Sequence, residues 1–143
     1  MYELKQFNLP KNFRGRSAIV VQLWRVIYVV FFRNSPQFLY GWRRFILRLF
    51  GANIGKKVII RPSVEITYPW KVVIGDYSWI GDNVVLYSLG KITIGSNTVV
   101  SQKSYLCTGS HDFNSVAFDI FEKPIVIGNS CWIATDEIGR AHV

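Results

Sequence analysis

The chain has 143 residues, 50% of them hydrophobic and 15% aromatic, which suits one domain with a real core and excludes a disordered segment. Its formal charge of +8 falls wholly on residues 1–50, where nine Lys/Arg face the single acid Glu3; residues 51–143 carry eight of each sign. A neutral body follows a cationic head, so a partner selected by charge meets the head first.

Residues 1–16, with Pro10 and Gly15, read as an irregular lead-in. Ser17 to Phe32 is apolar and helix-like, and Gln22, Arg25 and Arg33 fall within about 80° of one another on a helical wheel, leaving a wide apolar face. The stretch Ala18–Phe32 contains Arg25 and spans 15 residues, short of the ~20 that a bilayer requires. No small-residue cleavage site follows, so a secretory signal is not expected either.

A second helix is predicted from Pro36, at its first position, to Phe50, with Asn34 or Ser35 as N-cap and Gly51 as terminator. Gln37, Gly41, Arg44 and Arg48 share one side, whereas Phe38, Trp42, Phe45, Ile46 and Leu49 fill the other. Two roles are open to this basic amphipathic hairpin. Its apolar faces can cover the end of the repeat that follows, because solenoids need capped ends. Alternatively, its aromatics and arginines can attach to an anionic membrane surface. Packing against a core is the default use of an apolar face. Nucleic acid is not the expected partner, since no recognisable binding module accompanies the basic residues.

From Ile54 a six-residue beat begins: Ile54, Ile60, Ile66; Ile74, Ile80, Leu86; Ile94, Val100, Leu106; then Ile127 and Ile133. Between the first three triplets the step is eight, so each coil has three sides and a two-residue bulge; the step 106 to 127 is twenty-one, which loops out thirteen further residues. Period six fits neither a helix nor a flat strand. It fits a parallel β-helix, whose short sides each turn one residue to the axis. Gly55, Gly75, Gly81, Gly95 and Gly128 follow beat residues, where a corner needs positive φ or close backbone approach. Four positions after each beat, Val58, Val64, Ser78, Val84, Thr98, Ser104, Ser110 and Cys131 form a candidate second inward row. Trp70 and Gly90 interrupt that row at the bulges.

Cys107 and Cys131 are the only cysteines, without metal-ligand spacing or a disulfide framework. They are expected to be small buried side chains in a reducing compartment. On a straight strand Cys107 and His111 would stand ~13 Å apart, too far to pair. From the residues alone, His111 is either a base on the long loop or a polar turn residue.

The segments RRFILRLFGANIG (43–55), YPWKVVIGDYSWIGDNVVLYSLGKITIG (68–95), SQKSYLCTGSHDF (101–113) and PIVIGNSCWIATD (124–136) resemble the left-handed β-helix hexapeptide acyltransferases. The resemblance is to the colanic acid biosynthesis acetyltransferase branch, related to the maltose and galactoside acetyltransferases. It covers the chain from about residue 36 to Asp136. It implies a mainly β, triangular left-handed prism preceded by the helical hairpin, and a homotrimer with active sites between subunits. It also implies direct transfer of acetyl from acetyl-CoA, without a metal, to a hydroxyl of a sugar or lipid-linked saccharide in exopolysaccharide synthesis. The setting would be cytoplasmic, at or near the inner membrane face.

By the same resemblance His111 is the general base. An imidazole, with an ordinary pKa of about 6.5, can take the proton of a hydroxyl that otherwise attacks a thioester poorly, and backbone N–H groups nearby would steady the oxyanion. Asp112 either orients the imidazole or begins a turn with Asn114. Asn83 occupies an acceptor-contacting position or is an ordinary corner residue. Trp132, Ala134 and Thr135 fall where the pantetheine arm of coenzyme A meets the coil edge. Tyr105, Tyr87 and Trp79 are candidates to stack on a sugar ring.

After Asp136 the chain departs from the family pattern. It reads EIGRAHV, with Gly139 where an inward aliphatic is due, so the β-helix is expected to be truncated at its C-terminus. The expected organisation is a helical cap or membrane-surface segment over 1–51, the incomplete β-helix over 52–136 with a loop at 107–124, and an atypical tail over 137–143 in which His142 has no role. Two other functions follow from other weightings. A shortened β-helix could serve only to oligomerise or bind membrane. A metal-dependent β-helix enzyme would need several histidines, and only His111 stands outside the tail.

Overall fold

The computed structural model describes residues 1–140; His142 lies outside them. Ser17 caps the first helix, its hydroxyl accepting from Val20 N, and α1 (Ala18–Ile27) continues as a π-helical turn over Tyr28–Phe32. Helix α2 (Tyr40–Leu49) follows a turn. The first coil has strands β1 (Asn53–Ile54), β2 (Ile59–Ile60) and β3 (Glu65–Ile66), and the second has β4 (Val72–Ile74), β5 (Trp79–Ile80) and β6 (Val85–Tyr87). The third has β7 (Ile92–Ile94), β8 (Val99–Val100) and β9 (Tyr105–Cys107). A hairpin, β10 (Gly109–His111) and β11 (Ile120–Glu122), interrupts the winding before the last strands β12 (Ile125–Ile127), β13 (Trp132–Ile133) and β14 (Ile138–Arg140).

Three parallel sheets form the sides of a left-handed β-helix: β1-β4-β7-β12, β2-β5-β8-β13 and β3-β6-β9-β14. The register stacks beat on beat, with Ile54 over Ile74 over Ile94 over Ile127. The nine beat residues from Ile54 to Leu106 are buried, as are Val58, Val64, Ser78, Val84, Thr98 and Ser104 of the second row. Ser110 is not in that row. It lies exposed on β10, because the hairpin has already left the coil. The tail also differs from expectation: β14 pairs with β9 and sets Gly139 opposite Leu106, so the coil continues to Arg140.

Close backbone approach, not positive φ, accounts for Gly55, Gly75, Gly81 and Gly95, whereas Gly128 shows neither. Positive φ falls three positions after a beat, at Lys57, Tyr77, Asn83, Asn97, Lys103, Ser130 and Asp136. Gly75 instead permits close approach, since a Cβ there would stand 2.5 Å from Ser96 N and 2.7 Å from the carbonyl carbon of Gly95.

Helix α2 departs most from the sequence pattern. It begins at Tyr40, not Pro36, and no side chain caps it. Asn34 Nδ2 donates to Val29 O and Ser35 Oγ to Phe32 O, so both proposed caps close the preceding turn instead. At the other end Gly51 (φ +92°) terminates the helix as expected, with Gly51 N bonded to Arg48 O and Ala52 N to Leu47 O, the paired bonds of a left-handed C-terminal motif. The face turned to the prism is Arg43, Ile46 and Leu47, all buried, whereas Phe38, Trp42, Phe45 and Leu49 are exposed.

Backbone hydrogen bonding explains this inversion. Carbonyls of inward residues accept from the coil before them: Ile74 O from Gly55 N, Ile94 O from Gly75 N, Ile127 O from Gly95 N, each at 2.8 Å. The first coil has no coil before it, and a buried carbonyl left unpaired costs about 1–3 kcal/mol. Side chains of the helices supply the donors. Arg48 Nε binds Ile54 O (3.0 Å), Arg44 Nη1 binds Val58 O (2.8 Å), and Arg43 Nε binds Ile60 O (2.7 Å). Tyr28 Oη donates to Val64 O (2.8 Å) and Trp24 Nε1 to Ile66 O (2.9 Å). Trp24, Phe32, Ile46 and Leu47 complete the cover, packing into the same core as the beat residues.

Candidate active site

The twenty-one-residue step in the beat becomes an antiparallel hairpin, which pairs Gly109 with Glu122 and His111 with Ile120. His111 thus stands at the end of a strand, held clear of the prism. Its Nδ1 lies 2.8 Å from Phe118 O. A carbonyl oxygen only accepts, so Nδ1 carries the proton and the neutral ring keeps its lone pair on Nε2. The Phe118 ring stacks on the imidazole with centroids 4.3 Å apart and planes 8° apart. Phe118 adopts φ +54°, a left-handed conformation that a non-glycine residue occupies at a cost.

Asp112 takes the turn-forming alternative. Its Oδ1 accepts from Asn114 N (2.9 Å) and its N–H donates to Asp119 O (2.7 Å), so the group orienting the imidazole is the Phe118 carbonyl. Cys107 Sγ donates to Gly109 O (3.2 Å). Neither cysteine is fully buried: both are free thiols of intermediate exposure, Cys107 where the chain leaves the coil for the hairpin and Cys131 in the last coil.

Tyr105 stands on the third face with Tyr87, ring centroids 6.0 Å apart. The two line a groove of about 460 Å³ between that face and α1, together with Arg25, Tyr28, Glu65 and Thr67. Burial, reinforced by Cys107, Tyr87 and Glu65, pushes the Tyr105 phenol above its usual pKa. Aromatic surface beside a cation, a carboxylate and hydroxyls is what a sugar's apolar face and hydroxyl rim can use. Trp79 is separated from this pair on the second face. Asn83 is an exposed corner residue with φ +57°, its N–H bonded to Ser63 Oγ (3.0 Å).

Trp132 lies on the second face, 77% exposed, with Nε1 donating to Ser101 Oγ (2.9 Å). Trp132 and Ala134 line a cavity of about 310 Å³ at the C-terminal end of the prism, where Leu106, Ile127, Ile133 and Gly139 form the floor and walls. Thr135 is exposed beside them. The cavity is mainly apolar, with an accessible indole at its rim. His111 and Trp132 therefore occupy different sides of one chain.

Sequence reasoning missed the N-terminal arm. Tyr2 Oη donates to Phe113 O (3.1 Å), Glu3 N donates to Val116 O (2.9 Å), and the Phe7 ring lies 6.1 Å from His111. The lead-in thus braces the hairpin tip. Its one legible signal was three aromatics, Tyr2, Phe7 and Phe13, in a short basic stretch. Nothing in the sequence marked Phe118.

No family model matches the chain. Among curated proteins it is 62% identical over 136 residues to the colanic acid biosynthesis acetyltransferase WcaF of Escherichia coli (strain K12), an alignment covering 95% of this chain and 75% of the relative. The same protein of Shigella flexneri matches to the same extent. Among solved structures, a maltose O-acetyltransferase from Clostridium difficile 630 superposes with a TM-score of 0.74 at 20% identity, covering 85% of this chain and 68% of the other. A hexapeptide-repeat acetyltransferase from Vibrio cholerae gives 0.70 at 24% identity, over 80% and 65%. These structural likenesses speak for the fold; the identity over three quarters of a relative's length speaks for more, and the chain belongs to the colanic acid biosynthesis acetyltransferase family.

Proposed function

We propose that the protein transfers acetyl from acetyl-CoA to a sugar hydroxyl, with His111 as general base. One observation carries this reading: the Nδ1–H bond to Phe118 O leaves Nε2 as the basic nitrogen on a hairpin that projects from the prism. The acceptor oxygen attacks the thioester carbon while Nε2 takes the hydroxyl proton. As the tetrahedral intermediate collapses the C–S bond breaks, and the imidazolium returns the proton to the departing thiolate. Arg25, Glu65, Tyr87 and Tyr105 receive the saccharide, free or lipid-linked, in the groove along the third face; Asn83 is a further acceptor contact. Trp132, Ala134 and Thr135 receive the pantetheine arm. Because His111 and Trp132 lie on different sides of one chain, the reading includes a homotrimer, in which one subunit's Trp132 edge approaches its neighbour's hairpin. The reaction is set in the cytoplasm.

The experiment is incubation with acetyl-CoA and a panel of soluble sugars, followed by mass analysis of products. O-acetylated sugar with stoichiometric release of coenzyme A is expected. A cooperatively melting protein that neither binds coenzyme A nor acetylates any acceptor would contradict the proposal and favour a purely oligomerising module.

A further inference from the structure

The hairpin of α1 and α2 leaves one side unused by the prism, and that side is apolar. Leu49 (69% exposed), Phe45 (55%) and Trp42 (40%) project from α2, with Phe38 (74%) in the turn before it; Ile19, Leu23 and Val26 project from α1, and Phe31 from the π-helical turn that continues it. Between the helices runs a groove of about 270 Å³ lined by Leu23, Ile27, Phe31, Trp42, Phe45 and Leu49, among others, with no polar lining. The indole N–H of Trp42 is already satisfied by Phe31 O at 2.9 Å, so the ring presents carbon outward. A monomeric surface rarely exposes a contiguous apolar patch of this kind without a partner.

Charge selects the partner. From Leu4 to Val64 the sequence holds twelve Lys/Arg and no Asp or Glu. Arg43, Arg44 and Arg48 are committed to the first-coil carbonyls. Lys56 and Lys57 stand exposed at the first corner, beside Gly55, whose carbonyl accepts from Arg48. Arg16 is exposed just before α1 and Arg33 just after the π-helical turn, whereas Arg25 faces the groove along the third face. An apolar face on a segment rich in cations and free of carboxylates complements a sheet of hydrocarbon beneath anionic headgroups. A second copy of the hairpin offers the wrong complement, since two such faces bring like charge against like. Among the described residues no helix is long and apolar enough to cross a bilayer, so the hairpin would lie in the interface plane.

We propose that the outer face of the α1–α2 hairpin docks on an anionic lipid surface, inserting Phe38, Trp42, Phe45 and Leu49. This goes beyond the acetyl-transfer reading and does not depend on it. The docked chain holds the prism and its His111 hairpin beside the membrane, where a lipid-linked saccharide would be presented.

The test is flotation of the full chain with vesicles of phosphatidylcholine alone or mixed with phosphatidylglycerol, at low and high salt. Binding to the mixed vesicles, weakened by salt, is expected. Phe45→Glu with Leu49→Glu should lower partitioning on the order of tenfold or more, with thermal melting unchanged because both side chains are exposed and outside the carbonyl cap. The proposal is overturned if the wild type floats with neither vesicle, or if the variant floats equally well. It is also overturned if light scattering shows an assembly that the variant dissolves and vesicles do not compete for; that result assigns the face to a second copy. Transfer to a soluble sugar without vesicles is measured alongside, so loss of docking and loss of chemistry are read separately.

Discussion

Phe118 acts on His111 twice, through its backbone carbonyl on Nδ1 at 2.8 Å and through its ring stacked 4.3 Å from the imidazole. Both contacts depend on a left-handed phenylalanine at φ +54°. Phe118→Gly keeps that conformation and the carbonyl while losing the stack. Phe118→Val disfavours the conformation and displaces the carbonyl. The valine variant is predicted to lose on the order of tenfold or more in kcat with an altered pH–rate profile, and the glycine variant less. Equal losses in both would mean that the ring, not the carbonyl, sets the imidazole.

Arg43 is buried and donates to Ile60 O, Ser35 Oγ, Pro36 O and Gln37 O. Burial lowers its pKa below the ordinary guanidinium range, with Tyr40 opposing the change. Arg43→Leu takes the donor from Ile60 O at the buried end of the prism and is expected to cost about 1–3 kcal/mol in denaturant unfolding. Arg44→Ala, at a less enclosed position, should cost less.

Two glycine-to-alanine changes should have opposite signs. Gly75→Ala forces a Cβ against Ser96 N and the Gly95 backbone, an overpacking worth about 1–3 kcal/mol of destabilisation. Gly41 sits in α2 with only Arg44 Nη2 nearby, at 3.6 Å, so Gly41→Ala should stabilise by about 0.5–1 kcal/mol. Thermal melting distinguishes them.

Burial first, and the Glu65 carboxylate second, push the Tyr28 phenol up to about 12 against the influence of Arg33. Below about pH 10 the phenol is protonated in folded and unfolded chains alike, and its contribution is intact. Between about 10 and about 12 the unfolded chain releases the proton while the folded one keeps it, so stability falls as pH rises. Tyr28→Phe should flatten that part of the stability–pH curve, at the cost of the bond to Val64 O. An unchanged slope would show that Tyr28 does not titrate in this window.

How much of this was legible varies with the physics that decides each element. The prism was, because a six-residue beat of Ile, Val and Leu records directly which side chains meet at the axis, from Ile54 to Leu106. The orientation of α2 was not. A helical wheel puts Phe38, Phe45 and Leu49 inside, but it carries no account of the carbonyls of Ile54, Val58 and Ile60, whose need for donors turns Arg48, Arg44 and Arg43 inward. His111 could be placed by motif, whereas its orienting partner could not. Phe118 reaches it only through hairpin register and an unfavourable backbone angle, neither of which leaves a mark in residue type. Asp112, adjacent in sequence, looked the better candidate and is spent on the turn.

Acetyl transfer as proposed turns on His111 removing the acceptor's proton through Nε2. The most direct measurement is the pH dependence of kcat/KM for acetyl transfer to a sugar, in the wild type and in His111→Ala, with coenzyme A binding measured on both. A loss of roughly 10²–10⁴-fold in the variant, a changed pH profile and unchanged coenzyme A affinity are expected. Wild-type rates and an unaltered pH profile in His111→Ala would contradict the proposal.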